Sequence, residues 1–394
     1  MSPMEAVKLR PQGERCVTVD LDAIPPEVTE ADEEIFFRII STDLTQEQLD
    51  RVAVPSQTHP KQENVLAVHW HPEFVPMDTI RRRVEAIYPN KRHELIIPTQ
   101  HNELLWWDDY AGVEVDCYSS GFNRKVQLLL HFRRDRVEGP NQASMLKAML
   151  NHTFKYRSSQ LFDFMHAVTS PDKEVVRQKA ARQTNTEADV VAFTGLYVGK
   201  IQRMLEDNWS RVPKGSIKNK LLRNFFDELR AEYDETLINH AQVYLKAIKK
   251  LVKAEFSLQY FYRATEIIEE ARSLGAGIVI PHPEQFWPIL LADYDVDGIE
   301  VWNPQSMEYT EFLIRAVNRQ NEYCGRAERP LLIFMGDDCH MSEKVKDPEF
   351  QDKEKVAREI GLQPAWDDLI VRKSLILCGV SRQQVMDEYA ERLG

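Results

Sequence analysis

The chain has 394 residues, and its 50 basic and 62 acidic side chains give a net charge of −12. A field of this sign repels nucleic acids and anionic membranes on average, which argues against a general role on either surface. No apolar run approaches the roughly 18 residues of a membrane span, and MSPMEAVKLRPQGER at the N-terminus lacks the apolar core of a signal peptide. The five cysteines are scattered, without a CxxC spacing, so we expect no disulfide framework and a cytoplasmic protein.

Residues 1–62 are acidic and punctuated by prolines, and we interpret them as an N-terminal extension. The pattern then changes, and the apolar run 65–68 predicts a short buried strand that ends in the sequence HWH. Because side chains alternate along a strand, His69 and His71 should point to one side and Trp70 to the other. Two imidazoles on one face can bind one metal ion, or they can stack at a polar edge.

Residues 63–139 are predicted to form the first part of an α/β domain. The strand that ends in HWH is followed by a helix over MDTIRRRVEAIY and by a strand over HELIIPTQH. AGVEVDCY and KVQLLLHF predict two further strands, and the link SSGFNR between them is typical of a hairpin. Glu114 lies in the first of these two strands, and His131 lies near the end of the second.

Residues 140–256 have a different pattern, in which helical periodicity replaces the strand signals. The segment IKNKLLRNFFDELRAEYDETLINHAQVYLKAIKKLV carries one apolar stripe at helical spacing. We interpret this block as a helical insertion, and its loop over 210–220 is strongly basic. His152, His166 and His240 lie in helical sequence with apolar neighbours, so we interpret them as structural residues in the core or at a helix edge.

The alternation of strands and helices resumes over 257–345, with strands predicted at IVIPHP, DGIEVWNP and LLIFMGDDCH. Residues 346–394 are largely helical and form a C-terminal segment. Alternation on both sides of a helical block predicts an α/β barrel, or an α/β sheet, that carries an insertion.

Six histidines share one kind of position, at or just beyond the C-terminal ends of five apolar strands: His69, His71, His101, His131, His282 and His340. Glu114 and Asp338 occupy matching places. In α/β barrels this end of the strands carries the active site. Imidazoles together with carboxylates suit a divalent ion such as Zn²⁺, Mn²⁺ or Fe²⁺. Arg133 and Arg134 follow one of these strands, where they could bind a phosphate oxygen or form a solvated charge pair.

Taken in order, these motifs resemble those of the PHP superfamily, named after polymerase and histidinol phosphatase domains. HWH resembles its first motif and PTQHN its second, while AGVEVD and the later LLLHF resemble the segment that supplies a bridging glutamate and a histidine. EEARSLGAGIVIPHP resembles its helix–glycine–strand motif, DGIEVWN the following strand, and FMGDDCH the closing motif. The resemblance covers about 65–145 and 255–345, roughly half of the chain.

The resemblance implies a distorted (β/α)7 barrel with two or three divalent metal ions at the C-terminal ends of its strands. Carried over by position, the implied ligands are His69, His71, Glu114 and Asp338 for the first ion, Glu114, His131 and His282 for the second, and His101 and His340 for the third. Gln100 stands where the family motif has an aspartate. Glu73 and Asp78 are the nearest candidates for a further ligand after HWH.

The chemistry that the resemblance implies is phosphoester hydrolysis by a metal-activated water, with Glu114, Asp338 and His101 as catalytic residues. We expect a phosphatase or phosphodiesterase that acts on a small phosphorylated molecule and has no membrane partner. A nuclease stays open because the loop over 210–220 is basic, and so does a non-catalytic scaffold held together by its metals. We also predict that the insertion covers the metals and that Lys214 and Lys218 of its loop approach the substrate.

Overall fold

The computed structural model describes residues 19–323 and 329–394. Cys16 and Cys324 lie outside these residues, and Cys117, Cys339 and Cys378 are free thiols within them. In this part of the chain no helix combines the length and the apolarity that a crossing of the bilayer requires.

Most strands are short, and they run as follows: β1 (Asn64–Ala67), β2 (Trp70–His71), β3 (His93–Ile96), β4 (Leu105–Trp107), β5 (Tyr110–Ser119), β6 (Arg124–Arg133), β7 (Gly277–Ile280), β8 (Gly298–Trp302), β9 (Leu332–Met335) and β10 (Cys339–His340). The two longest, β5 and β6, form an antiparallel hairpin along their whole length, from Tyr110 opposite Arg133 to Ser119 opposite Arg124. Nearly every residue of β5 is buried, including the charged side chains of Glu114 and Asp116.

Six strands form one sheet in the order β4-β5-β6-β7-β8-β9. The pairs from β4 to β7 are antiparallel, and β7, β8 and β9 are parallel. Two further parallel pairs are β1 with β3 and β2 with β10. The described residues therefore have a mixed α/β fold with three separate sheets that do not close into a barrel, and the (β/α)7 barrel stays a prediction.

Backbone contacts connect these sheets where the strands end. Just beyond β3, His101 forms an isolated parallel bridge with Glu114 of β5. Beside the pair of β2 and β10, the Asp338 N–H donates to the carbonyl of His69 at 2.9 Å. The short strands are therefore held next to the long hairpin, and polar side chains at several strand ends are brought together.

The helices run as follows: α1 (Glu30–Ile40), α2 (Gln46–Ala53), α3 (Met77–Ile87), α4 (Ser144–Phe154), α5 (Tyr156–Thr169), α6 (Glu174–Thr184), α7 (Ala188–Asp207), α8 (Lys220–Glu228), α9 (Glu235–Glu255), α10 (Ala264–Ser273), α11 (Thr310–Tyr323), α12 (Ser342–Val345), α13 (Lys353–Val356), α14 (Leu369–Leu377) and α15 (Arg382–Leu393). Several begin at a polar residue that caps the first turn. At α1, the Thr29 side chain accepts from the Asp32 N–H while the Asp32 carboxylate accepts from the Thr29 N–H. This reciprocal pair satisfies two backbone donors that the helix itself leaves unpaired.

The described residues divide into two compact units. Residues 19–42 and Arg157–Phe256 form the first, which we call the helical unit. Asp43–Tyr156 and Ser257–Gly394 form the second, the α/β unit, which contains all the strands given above. The five segments expected from the sequence stay a prediction of domain organisation.

The helical unit has an apolar core of its own. Phe36 of α1 is buried in it together with Phe193 of α7 and Tyr244 of α9. An ion pair also lies within this unit, because Nζ of Lys200 donates to Oδ2 of Asp32 at 2.8 Å and both side chains are buried. The core therefore joins α1, from one part of the sequence, to helices that lie far along the chain.

The three histidines that we interpret as structural are all exposed on helices rather than buried. The predicted apolar stripe is divided between α8 and α9, and His240 lies on the exposed side of α9. His152 stacks on Tyr260 with ring centroids 4.6 Å apart. Nε2 of His166 lies 3.3 Å from Oδ1 of Asp172. These side chains therefore occupy helix surfaces.

Candidate metal centre

The HWH segment separates an apolar side of the first strand from a polar side. Trp70 is fully buried in an apolar cluster, where its ring centroid lies 5.6 Å from that of Trp107. His69 and His71 alternate to the other side, with ring centroids 5.4 Å apart. Because β2 pairs in parallel with β10, His340 lies beside His71.

Three other segments bring side chains to the same place. His101 follows β3 and bridges Glu114 of β5. His282 follows β7, and its ring centroid lies 5.4 Å from that of His69. Asp338 lies between β9 and β10, where its backbone is bonded to the carbonyl of His69. The centre is thus assembled from strand ends that are far apart in the sequence.

Five histidines and two carboxylates form three groups whose possible ligand atoms lie within 4.8 Å of one another: His71, His101 and His340; His69, Glu114 and His282; and His69, His71 and Asp338. His69 and His71 each belong to two groups. Ions at neighbouring groups would therefore share ligands and lie close together. Which of these residues bind an ion stays a prediction.

The Asp338 carboxylate faces three imidazoles. Its Oδ1 lies 3.8 Å from Nε2 of His69, 3.5 Å from Nε2 of His71 and 3.4 Å from Nε2 of His340. Such distances are long for hydrogen bonds. Two atoms that each lie about 2.1 Å from one ion, at a tetrahedral angle, are about 3.4 Å apart. The spacing therefore suits an ion between the carboxylate and the rings.

Glu114 faces imidazoles with both of its oxygens. Oε1 lies 3.5 Å from Nε2 of His282, and Oε2 lies 3.7 Å from Nε2 of His71. Oε2 also contacts Nδ1 of His101. The two oxygens of this one carboxylate therefore point at two different groups, as a residue that bridges two ions would.

Burial without hydrogen bonds also fits a metal at these groups. Nε2 of His69, both ring nitrogens of His71 and both carboxylate oxygens of Glu114 are buried, and none has a hydrogen-bond partner among the described residues. An unpaired buried polar atom costs roughly 1–3 kcal/mol, so native proteins nearly always pair such atoms. Divalent cations at these groups would pair Nε2 of His69, one ring nitrogen of His71 and the oxygens of Glu114. The residues present therefore fit a metal centre.

Burial and charge separate the imidazoles into two kinds. Burial, with the neighbouring rings of His340 and His101, lowers the pKa of His71 to about 3, so that this ring is neutral. Burial also lowers the pKa of His69, but the carboxylates of Glu300, Asp338 and Glu114 together outweigh it and raise the pKa to about 10. Since a metal binds the neutral imidazole, His71 is ready to coordinate, whereas an ion at His69 has to displace a proton.

Backbone strain is concentrated around the same residues. Of the eight described non-glycine residues with positive φ, four lie at or next to the centre: Glu73, Asn102, His282 and Asp338. Such conformations cost of order 1–3 kcal/mol each and persist where the surrounding structure holds them. At these strand ends they turn the chain so that side chains face the centre.

The structure does not bring His131 to these groups. Nδ1 of His131 lies 2.6 Å from the hydroxyl of Tyr389, and Nε2 lies 2.9 Å from the carbonyl of Val68, so both ring nitrogens have protein partners. The direction of β6 is the reason. Because β6 runs antiparallel to β5 and β7, its C-terminal end lies beside their beginnings, where His131 is opposite Gly112 and Gly277.

Arg133 and Arg134 share this position, and neither is brought to the centre. Arg133 is opposite Tyr110, the first residue of β5, and its guanidinium lies 5.1 Å from the centroid of that ring. Arg134 pairs with Glu138 at the surface. Glu114 lies farther along β5, away from this end of the hairpin. That the two arginines bind a phosphate stays a prediction.

Three side chains that the sequence analysis does not single out hold the predicted ligands in place. Oε1 of Glu300 lies 2.8 Å from Nδ1 of His69. Arg358 donates to Oδ2 of Asp338 at 2.8 Å, and Gln305 donates to the same oxygen at 2.7 Å. The sequence does contain a feature that could have indicated Glu300, because it is a charged residue inside the buried strand GIEVW. Arg358 and Gln305 lie outside the strands, where polar residues are common and do not indicate a site.

The candidates for a further ligand differ in position. Oε1 of Glu73 lies 3.7 Å from Nδ1 of His340, and Oε2 accepts a hydrogen bond from the Ser342 N–H at 2.9 Å. Asp78 is exposed in the first turn of α3. The side-chain oxygen of Gln100 accepts from the Glu73 N–H at 3.2 Å. Gln100 thus holds the segment after HWH in place.

Among solved structures, a protein from Bifidobacterium adolescentis that bears the name of a metal-dependent phosphoesterase is similar to this chain. The TM-score is 0.39 and the sequence identity 14%, over 82% of this chain and 99% of that one. No protein-family model and no curated protein matches the sequence. At this level of similarity, function has to be argued from the site itself.

Proposed function

We propose that the chain is a metal-dependent phosphoesterase of the PHP type, which hydrolyses a phosphoester of a small phosphorylated molecule. The observation that carries the proposal is the set of three overlapping ligand groups, in which His69 and His71 each serve two groups. A structural zinc site needs one closed set of four ligands. Shared ligands instead suit neighbouring ions that act together on one phosphate.

The residues of the three groups would hold two such ions, which would supply an activated water and neutralise charge on the phosphate. The residues of the chain fix the geometry around them. Glu114 turns one oxygen toward His282 and the other toward His71, so it sets the spacing of two sites. Asp338 keeps Oδ1 toward the histidines because Arg358 and Gln305 both bind its Oδ2.

The centre has an accessible side and a closed side. The side chains of His101 and His340 are 28% and 30% exposed, whereas those of His69 and His71 are almost fully buried. A phosphoester would therefore reach the ions from the side of His101 and His340. His101 is then placed to exchange a proton with the reacting oxygens, as general acid–base catalysis requires.

The strand connections support the barrel that the PHP resemblance implies. The sheet from β5 to β9 leads into β10, which pairs with β2, and β1 then pairs with β3. Beyond β3, the bridge between His101 and Glu114 returns to β5. We propose that these three separate sheets follow one another in the order of a distorted (β/α)7 barrel in which one strand, β6, runs in reverse.

The test is a measurement of metal content together with hydrolysis. Protein purified without chelator should contain two to three divalent ions per chain by elemental analysis. It should hydrolyse aryl phosphates, phosphorylated metabolites or nucleotides with Mn²⁺ or Zn²⁺ and lose this activity on chelation. Asp338→Asn should lower the rate at least about 100-fold, because one of the anionic ligands is lost. Asp387→Asn, at an exposed position of α15, is the control and should leave the rate unchanged.

Two results would contradict the proposal. One is a metal content of one ion per chain or none. The other is hydrolysis that survives Asp338→Asn. A clear preference for single-stranded DNA over every small phosphoester would instead favour the nuclease among the activities considered from the sequence.

A further inference from the structure

We propose that Glu300 positions two histidines of the metal centre at once, and that residue 336 has to be glycine because it leaves room for this carboxylate. The inference rests on the metal-binding part of the proposed function. It assigns a role to two residues that are not themselves predicted ligands, and it can be tested without an activity assay.

Both carboxylate oxygens of Glu300 form hydrogen bonds. Its side chain is 1% exposed, Oε1 lies 2.8 Å from Nδ1 of His69, and Oε2 accepts from the backbone N–H of His282 at 2.7 Å. His69 and His282 belong, with Glu114, to the same ligand group. One buried carboxylate therefore connects the ring of one predicted ligand to the backbone of another.

The bond to His69 decides which of its ring nitrogens can bind a metal. A carboxylate only accepts hydrogen bonds, so Nδ1 of His69 carries the proton in this contact. In the neutral ring the lone pair is then on Nε2. Nε2 has no hydrogen-bond partner among the described residues and lies 3.8 Å from Oδ1 of Asp338. Carboxylates that hold a ligand histidine in this way fix its tautomer and its orientation.

The bond to His282 holds a strained stretch of backbone. His282 has φ of 27° and ψ of 60°, in a region that non-glycine residues rarely occupy. Its N–H donates to Oε2 of Glu300, and its Nε2 lies 3.5 Å from Oε1 of Glu114. Without Glu300 this turn loses the bond that fixes it, and the ring of His282 would move away from Glu114.

Residue 336 has to be glycine because a side chain there would collide with Glu300, and not because its backbone conformation requires glycine. A Cβ at this position would lie 1.4 Å from Oε1 and 2.3 Å from Cδ of Glu300. No side chain fits at that distance, and its φ lies outside the left-handed region that favours glycine. The backbone of residue 336 also cannot retreat freely, because its N–H donates to the carbonyl of Trp302 at 2.8 Å. Any larger residue would therefore displace Glu300.

Glu300→Gln is the most informative single change, since it keeps the volume and removes the charge. The amide has one acceptor and one donor end. If the oxygen faces Nδ1 of His69, then the NH2 group faces the N–H of His282, which is also a donor. If the amide is reversed, Nδ1 becomes an acceptor and the proton moves to Nε2. The first arrangement loses the bond to His282, and the second keeps both contacts but puts the proton on the ring nitrogen of His69 that would bind the metal.

The experiment measures binding of Zn²⁺ alone to metal-free protein, in competition with a chromophoric chelator. Glu300→Gln and Gly336→Ala should each weaken the affected site about 10–100-fold, the usual effect of losing a residue that orients a ligand. Gly336→Ala added to Glu300→Ala should cause little further loss, because the atom it collides with is gone.

Asp297→Asn is the matched control. Asp297 is also a buried carboxylate, next to the beginning of β8, and it is bonded to Arg272 and Arg329 and not to the centre. The Asp297→Asn protein should be less stable than the parent but should bind Zn²⁺ with the same affinity. Zn²⁺ affinity that is unchanged in Glu300→Gln, or equally reduced in Asp297→Asn, would overturn the inference. Additive losses for Gly336→Ala and Glu300→Ala would overturn the role of Gly336.

Failure of the inference can be told apart from failure of the proposed function. If the parent binds Zn²⁺ in a way that depends on Glu300 but hydrolyses no phosphoester, the inference holds and the phosphoesterase proposal fails. If the parent hydrolyses phosphoesters and Glu300→Gln binds Zn²⁺ normally, the phosphoesterase proposal holds and the inference fails.

Discussion

Two buried histidines, His71 and His131, differ in what their ring nitrogens contact. Neither ring nitrogen of His71 has a hydrogen-bond partner among the described residues, whereas both ring nitrogens of His131 have one, in Tyr389 and Val68. Burial lowers the pKa of each to about 3. A neutral ring whose nitrogens are unpaired suits a metal ligand, and a neutral ring that is fully hydrogen-bonded suits a structural role.

Replacing His131 should therefore affect stability and not metal content. His131→Ala leaves a cavity and removes the partners of a buried carbonyl and a buried hydroxyl, which together should cost about 2–4 kcal/mol of unfolding free energy. Chemical denaturation of the metal-free protein measures this loss. Elemental analysis should find the same number of ions as in the parent. If His131→Ala loses ions as His282→Ala does, then His131 is a ligand and its ring has to turn when metal binds.

Glu114→Gln should have the opposite effect. Glu114 is a buried carboxylate whose oxygens face imidazoles without forming hydrogen bonds, so losing its charge should remove the ions that share it. The metal-free protein should still fold cooperatively, because the change keeps the volume of the side chain. Elemental analysis measures the loss of ions, and the thermal midpoint in the presence of a chelator measures the stability of the metal-free protein. Glu103→Gln, at an exposed position, is the control, and full metal content in Glu114→Gln would exclude a bridging role.

At the scale of elements, strand ends were predictable and strand direction was missed. The apolar runs before His69, His282 and Asp338 correctly predict strands whose ends meet, because burial and alternation are local properties of the sequence. The sequence also contained the information about β6. SSGFNR predicts a hairpin, and a hairpin reverses the chain, so the end of β6 cannot lie beside the end of β5. The structure places His131 opposite Gly112, two residues along β5 from Glu114, and its role as a ligand stays a prediction.

Contacts between distant segments could not be predicted from one sequence. Glu300 lies 231 residues from the histidine it holds, and Arg358 reaches Asp338 from a segment after the last strand. Periodicity shows which face of an element is buried, but not which other element covers that face. The positions of Glu300 and Arg358 therefore follow only from the folded chain.

Asp297 provides a test of electrostatics at the beginning of β8. Its carboxylate accepts from Arg272 and Arg329, each at 2.6 Å, and from the Ile278 N–H at 2.8 Å. Burial alone would raise the pKa of Asp297, but Arg272 and the other donors outweigh it and lower the pKa below its usual value. The carboxylate thus joins β7, β8 and the segment before β9.

The sign of the pH dependence follows from that lowered pKa. The stabilisation should be complete above the unfolded pKa of about 3.9 and should disappear as the pH falls through the lower pKa of the folded state. At neutral pH, Asp297→Asn should lose about 1–3 kcal/mol, since it removes the charge of a buried carboxylate that accepts several hydrogen bonds. Denaturation at pH 7 and pH 3 should show this loss shrinking in acid. Asp295→Asn, whose exposed carboxylate also pairs with Arg272, should cost less than about 1 kcal/mol, and equal losses would disprove the assignment.

At the scale of the whole molecule, the basic loop over 210–220 belongs to the helical unit. Val212 and Ile217 are buried in the core of that unit, and the Ser216 hydroxyl donates to the carbonyl of Ile40 at 2.8 Å. The loop is therefore anchored within its own unit, while Lys214 is exposed. That Lys214 and Lys218 approach a substrate at the metals stays a prediction.

The two units should respond differently to metal removal, because the predicted ligands lie only in the α/β unit. An ion present at 100 times its dissociation constant stabilises the folded state by about 2.7 kcal/mol. In calorimetry we expect two transitions, of which only that of the α/β unit shifts downward when a chelator is added. Lys200→Met, which breaks the buried pair with Asp32, should lower only the other transition. The chelator and Lys200→Met could instead each shift both transitions equally. The two units would then unfold together, and metal binding would stabilise the helical unit as well.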